Sequence, residues 1–355
     1  MRLRTVLATA AATLAAATCL TAAATLAAAT CLTAAGPANA AWNNACSPAV
    51  SIDRFSDALD KTTYDDTFVG NFSALAVDHH RHGSLVALSD RSALFSLDAK
   101  TLAPNAVVPL ADESGAALDS EGLVIDRDRT RLVSSETEPS VRRYSRDGRI
   151  LDRLPVPDAL KVAPAGRAVT NGTFEGLTLL PGGRTLLASM EYALSGDSAG
   201  IVRFQTWQRN RPTGGPFALG RQYAYRADTG LGVPEVQATP DGRLLVLERG
   251  WTSGVGNTVR LYLADPRRAT DTSGVENLTG QDGVRLIRKT LLADIVNCPS
   301  LGATAKQPQP NPLLDNIEGM AITGYSKGRL RVLLVSDDNQ NAVQTTRFYH
   351  LRVRV

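Results

Sequence analysis

The chain has 355 residues, 38 Lys and Arg against 35 Asp and Glu, and a formal charge of +3. With no basic tract, no basic patch interleaved with aromatics and no acidic tail, it lacks the electrostatic footprint of a nucleic-acid-binding protein. Its length exceeds the needs of a small sandwich and suits one large closed β domain.

Arg2 and Arg4 precede a long Ala/Leu/Thr run that ends at Ala38-Asn39-Ala40, a small-x-small cleavage site. This pattern predicts a secretory signal peptide over residues 1–40 and a mature domain over 41–355, with formal charge +1 once both arginines are gone. The apolar run contains the block AAATLAAATCLT twice in tandem, at Ala10–Thr21 and Ala22–Thr33. It is long enough to span a bilayer, so an uncleaved anchor is the alternative. No second apolar span follows, and the simplest reading is a released protein, extracellular or periplasmic. Cys46 and Cys298 are the two cysteines of the mature chain. In an oxidising compartment they read as one disulfide, with two free thiols as the alternative.

Along the mature chain, a short β-like run from Ala49 to Phe55 comes first. Five hairpin units follow, each a short apolar run, a turn, a longer β-rich run and then an acid. They are FSALAVD to Asp90-Arg91, SEGLVID to Glu136, FEGLTLL to Glu191, PEVQATP to Glu248-Arg249, and the stretch from Asp315 to Gln340. Asp147-Gly148, Pro181-Gly182-Gly183 and Asp241-Gly242 are turn signals between β-rich runs. The His-rich Asp78–His82 falls where the first unit turns, and reads as a surface turn. Arg288–Val296 fits either a short helix or a strand. The final run, Thr346–Val355, alternates apolar and polar residues as a strand does.

Repeats of this size predict an all-β fold, a β-propeller. Six blades are expected, the sixth degenerate and lying between Pro234 and Ile317, with five as the alternative. The N-terminal and C-terminal strands are expected to pair and close the ring, which removes an exposed sheet edge.

The ordered set SDR (Ser89–Arg91), SEGL (Ser120–Leu123), FEGLTLLPGGRTLLASMEYAL (Phe174–Leu194), LLVLER (Leu244–Arg249) and DNIEGMAI…LLVSDDN (Asp315–Asn339) resembles the phytase-like domain family, described by its esterase-like activity of phytase. The resemblance covers essentially the whole mature chain. It implies a secreted propeller acting on phosphate mono- or diesters. PEVQA (Pro234–Ala238) departs from the Glu-Gly-Leu form, which puts a site role for Glu235 in doubt.

In a propeller, a Glu just before the innermost strand points into the channel mouth. Glu121, Glu175 and Glu318 occupy that position, with Ala74 in the first unit. Carboxylates converging on an axis repel unless a cation lies between them, which makes these three the candidate ligands of Ca²⁺, or of Mg²⁺. The competing reading is that each Glu only accepts backbone hydrogen bonds from the next blade. A second set, Asp90, Glu136, Glu191, Glu248 and Asp337, ends the second strands and is expected at the same mouth. Glu175, Glu318, Glu191 and Asp337 are the candidate catalytic carboxylates, and Arg91 and Arg249 the candidate phosphate binders. No Gly-x-Ser-x-Gly elbow and no phosphate-binding glycine loop is present. A metal-dependent phosphate ester hydrolase, monomeric, with a small-molecule substrate and neither nucleic-acid nor membrane partner, is thus the first expectation. A non-catalytic extracellular propeller that binds a ligand or partner is the second.

Overall fold

The structure is a computed structural model, and it describes residues 44–281 and 283–355. The expected signal peptide and its duplicated block lie outside the described residues. Among the described residues, no helix is long and apolar enough to cross a membrane.

Strand β1 (Val50–Ser56) is followed by a small hairpin, β2 (Thr62–Tyr64) and β3 (Thr67–Val69). Blade 1 then comprises β4 (Phe72–Val77), β5 (Ser84–Ser89), β6 (Ala93–Asp98) and β7 (Pro104–Pro109). Blade 2 comprises β8 (Ser120–Ile125), β9 (Arg131–Ser135), β10 (Ser140–Tyr144) and β11 (Ile150–Arg153). Blade 3 comprises β12 (Phe174–Leu179), β13 (Thr185–Met190), β14 (Ile201–Gln208) and β15 (Ala218–Arg226). Blade 4 comprises β16 (Gly232–Ala238), β17 (Leu244–Thr252), β18 (Gly256–Asp265) and β19 (Arg288–Asp294). Blade 5 comprises β20 (Ile317–Ser326), β21 (Arg329–Ser336) and β22 (Phe348–Val353), and takes β1 as its outer strand.

Each of the five blades is a four-stranded antiparallel sheet, and the innermost strands β4, β8, β12, β16 and β20 contact one another in a closed ring. Blade 5 is completed from both ends of the chain: β1 runs antiparallel to β22, with Val50 opposite Val353 and Ser56 opposite Phe348. The disulfide Cys46–Cys298 fastens the same closure, its Cα atoms 4.0 Å apart.

Five is the blade count among the described residues. The sixth blade sought between Pro234 and Ile317 does not form, because that segment does other work. Arg288–Asp294 is a strand, the outermost of blade 4. The preceding excursion is poor in alternating apolar residues and cannot build a sheet of its own. It lies along β15, where Thr272 N–H donates to Gln222 O and Ile287 N–H to Ala224 O, each at 2.8 Å. Leu278 packs there with Ile201 and Ala224. A strand edge that would otherwise template aggregation is thereby covered.

The core is a set of seams between blades. Phe174, Leu186 and Trp207 of blade 3 meet Leu132 and Val141 of blade 2 in one apolar cluster. Leu245, Leu247 and Leu261 of blade 4 meet Met320, Val332 and Leu334 of blade 5 in another. Alternation along each strand lets both faces of every sheet bury side chains in this way.

Candidate functional site

The inner strands of blades 1, 2, 3 and 5 each begin with a register shift, between Phe72 and Ala74, Ser120 and Leu123, Phe174 and Leu177, and Ile317 and Gly319. A bulge breaks the alternation and re-aims the side chain it carries. Within these bulges stand Ser73, Glu121, Glu175 and Glu318, and all four line one cavity at the channel mouth. In blade 1 the residue in this place is Ser73, not Ala74, because the bulge precedes Ala74.

The glycine after the Glu lets neighbouring inner strands meet at the axis. A Cβ on Gly122 would lie 2.4 Å from Glu175 O, and one on Gly176 would lie 2.5 Å from Val236 N. Backbone stands in both places and cannot yield cheaply.

Blade 4 departs from this plan. Its bulge lies between Gly232 and Glu235 and contains Val233 and Pro234. Proline cannot donate to the ladder and is tolerated at a bulge. Glu235 therefore falls in the regular part of the strand, opposite Leu247, and is fully buried away from the cavity. Burial raises its pKa well above the usual value, against backbone hydrogen bonding from Val236, Leu177 and Met320.

The second set of acids divides in the same manner. Asp90, Glu136, Glu191 and Asp337 line the cavity. Glu248 does not, contrary to expectation. Neighbours on a strand face opposite ways, and on β17 it is Arg249 that turns inward. Glu248 turns between blades, accepting from Tyr225 Oη at 2.6 Å, Asp228 N–H at 2.8 Å and Lys289 Nζ at 2.6 Å.

The cavity holds about 400 Å³ and is lined by eight carboxyl groups and two guanidinium groups. Every proposed site residue, Glu121, Glu175, Glu318, Glu191, Asp337, Arg91 and Arg249, is among its lining. Their pairing differs from the expected trio, however. Carboxylate oxygens come within 4.8 Å of one another in two groups, Asp119–Glu121–Glu136 and Glu136–Glu175–Glu191. Glu136 belongs to both groups, and Glu318 to neither. Glu318 Oε1 instead accepts from Arg249 Nη2 at 2.5 Å and from Asn316 Nδ2 at 3.0 Å. Arg249 also stands 3.6 Å from Glu191, so one partly buried cation bridges blades 3, 4 and 5. Asn316 Nδ2 reaches Asp337 Oδ2 at 3.4 Å as well. Arg91 sits on the rim, largely exposed, 3.5 Å from Asp90.

Sequence reasoning passed over Asp119, two residues before Glu121 in ALDSEGL, since no other unit repeats it. Asn171, Tyr192 and Asn339 also line the cavity and carry no repeat signal.

Residues 67–340 match the family model of the phytase-like domain, described as esterase-like activity of phytase. The chain belongs to this family. An uncharacterized secreted protein of Arthroderma benhamiae is 32% identical over 118 residues, 26% of this chain and 23% of that one. The match thus spans about a quarter of that relative's length. A gluconolactonase of Xanthomonas campestris is similar at TM-score 0.41 and 15% identity, over 81% of this chain and 73% of that one. Myxococcus xanthus glutaminyl cyclase is similar at TM-score 0.44 and 12% identity, over 86% of this chain and 97% of that one.

In this phytase-like propeller, burial sets the electrostatics of the mouth. It pushes Glu136 up to about 7, helped by Glu191 and Asp119 and opposed by hydrogen bonds from Glu175 and Thr173 N–H. Asp90 is likewise raised to about 7, burial outweighing the attraction of Arg91. Glu121 and Glu175 rise well above the usual carboxyl range, by burial first and then by the repulsion of their neighbours. Asp337 rises by burial and by the charges of Glu318 and Asp90. For Arg249, burial works against the charge, but Glu318, Glu191 and Glu175 outweigh it and the pKa is raised. A ring of this kind stays neutral by holding protons or by holding a cation.

Proposed function

We propose that this protein is an exported, divalent-cation-dependent hydrolase of phosphate mono- or diesters. The observation that carries the reading is the pair of carboxylate triads sharing Glu136. Their donors are all oxygens, which suits a hard cation such as Ca²⁺ or Mg²⁺. Asp119, Glu121 and Glu136 would hold one ion, and Glu136, Glu175 and Glu191 another. The bound cation supplies positive charge that stabilises the phosphate ester as it reacts.

The chain's own groups do the rest. Arg249, between Glu191 and Glu318, presents its guanidinium to the phosphate, and Arg91 meets it at the rim. Glu318 and Asp337 are linked through Asn316, and burial raises the pKa of both, with Arg249 opposing the rise at Glu318. Asp337, which forms no ion pair among the described residues, would give a proton to the departing alkoxide. The disulfide and the secreted relative support export, and the near-neutral charge without a basic tract supports a protein with no nucleic-acid partner.

The test is turnover of a chromogenic phosphodiester and a phosphomonoester, with Ca²⁺, Mg²⁺ or EDTA. Turnover should need a divalent cation and should vanish in the double variant Glu175→Gln/Glu318→Gln with an unchanged circular dichroism spectrum. Full activity in that variant refutes the acid-ring mechanism. Absence of turnover on either ester by a wild type that binds Ca²⁺ would assign the mouth to ligand binding instead.

A further inference from the structure

A second cleft, of about 360 Å³, adjoins the acid cavity and shares Asn171, Arg249, Glu318 and Asn339 with it. Its lining is of another kind: seven of its ten residues are Asn or Gln. Arg249 and Glu318 are its only charged groups among the described residues, and they pair with each other at 2.5 Å. The cleft is therefore close to electroneutral, unlike the cavity beside it.

Two features of blade 4 point to a ligand. Trp251 on β17 is 57% exposed and lines the cleft, a large apolar surface left in water. Directly opposite it on β18 stands Asn257, which also lines the cleft. Asn257 is 1% exposed, yet neither its Oδ1 nor its Nδ2 has a hydrogen-bond partner among the described residues. Leaving both ends of a carboxamide unpaired in a buried place costs on the order of 1–3 kcal/mol per group. Its backbone is not the cause, since Asn257 N–H donates to Gln309 Oε1 at 2.7 Å. Nε2 of the same Gln309 is likewise without a partner among the described residues.

We infer that this cleft is a subsite for a neutral, hydroxyl-rich ring, a pyranose or similar polyol, carried by the ester whose phosphate enters the acid cavity. The inference about the ester rests on the hydrolase reading above; the binding of the ring does not. A carboxamide both donates and accepts, and so does a hydroxyl, so an amide-lined wall matches vicinal hydroxyls. The apolar C–H face of a sugar ring covers an indole as an aromatic partner would. A second phosphate would find no further cation here, because Arg249 is the one cationic residue lining the cleft among the described residues and it serves the phosphate in the acid cavity. The sharing of Arg249 and Asn339 by both spaces places the ring next to the phosphate, within one small molecule's reach.

The experiment titrates the full mature protein, in EDTA, with methyl α-glucopyranoside, methyl α-galactopyranoside, methyl α-mannopyranoside and adenosine, following tryptophan fluorescence and calorimetric heat. At least one pyranoside should bind saturably. Trp251→Ala and Asn257→Ala should each weaken it ten-fold or more, and Trp251→Phe should restore most of the loss. Trp251 is exposed, so its truncation tests the subsite even where Asn257→Ala fails to fold. Binding of adenosine alone, binding of no pyranoside, or equal binding by wild type and Trp251→Ala overturns the inference. A kinetic arm compares KM for a hexose phosphate with KM for glycerol phosphate, and Trp251→Ala should raise the ratio about ten-fold. Pyranoside binding without any ester turnover leaves the subsite standing and refutes the hydrolase reading alone.

Discussion

Glu136 is the side chain on which the acid mouth turns, and Glu136→Gln gives a quantitative test of it. In the cation-free protein, burial and the neighbouring carboxylates lift its pKa from 4.5 to about 7. The folded chain therefore keeps a proton that the unfolded chain has released. Stability from this group is present at low pH and is lost as pH rises from the unfolded value through 7, levelling off above it. At about 1.4 kcal/mol per pKa unit the whole effect is about 3 kcal/mol, of which about 2.5 kcal/mol falls between pH 5 and pH 8. Gln keeps the acceptor that faces Thr173 N–H and cannot ionise, so the variant lacks this loss. It also removes a like charge beside Glu175 and Glu191, which adds to the difference. Urea unfolding in EDTA at the two pH values measures it: wild type should lose at least about 2 kcal/mol more than the variant. With Ca²⁺ at about a hundred times its dissociation constant, wild type at pH 8 should regain about 2.7 kcal/mol. The variant should regain much less. Equal pH slopes for the two proteins in EDTA would refute the electrostatic account of the mouth.

Two further outcomes are expected. Gly176→Ala should cost about 3 kcal/mol in urea unfolding, since its Cβ would meet the blade 4 backbone 2.5–2.7 Å away, whereas Gly274→Ala, with nothing within 4 Å, should stay within about 0.5 kcal/mol of wild type. The double variant Cys46→Ser/Cys298→Ser opens a link across 252 residues and should lose about 2–5 kcal/mol. Its melting temperature should fall while Ca²⁺ affinity holds, and an unchanged melting temperature would show that β1–β22 pairing alone secures the closure.

Much of the architecture was legible because its determinants are local. Alternating apolar residues, Asp-Gly turns and the recurring Glu-Gly step specify a hairpin within about a dozen residues, and five such hairpins are five blades. The terminal strands and the two mature cysteines were readable for the same reason, by pattern and by count. The expected sixth blade shows where pattern stops. Residues 266–287 carry no alternation, and only the edge of β15, distant in sequence, determines where they lie.

The candidate site divides along the same line. Glu121, Glu175 and Glu318 announce themselves by repetition, and the chain alone places them at equivalent points of three blades. Which carboxylates meet is a tertiary matter, because it depends on which side of a bulge each residue falls. Val233 and Pro234 occupy the blade 4 bulge, so Glu235 is sealed between inner strands and Arg249 replaces Glu248 at the mouth. Arg249 then takes Glu318 out of the cluster, and Asp119 and Glu136 enter it. Sequence by itself determined five hairpin units and their acidic ends and offered the clasp, while the fold decided that five blades close the ring. The grouping of the charges was decided only when five inner strands closed on one axis, since Coulomb and desolvation energies depend on distance and burial rather than on order along the chain.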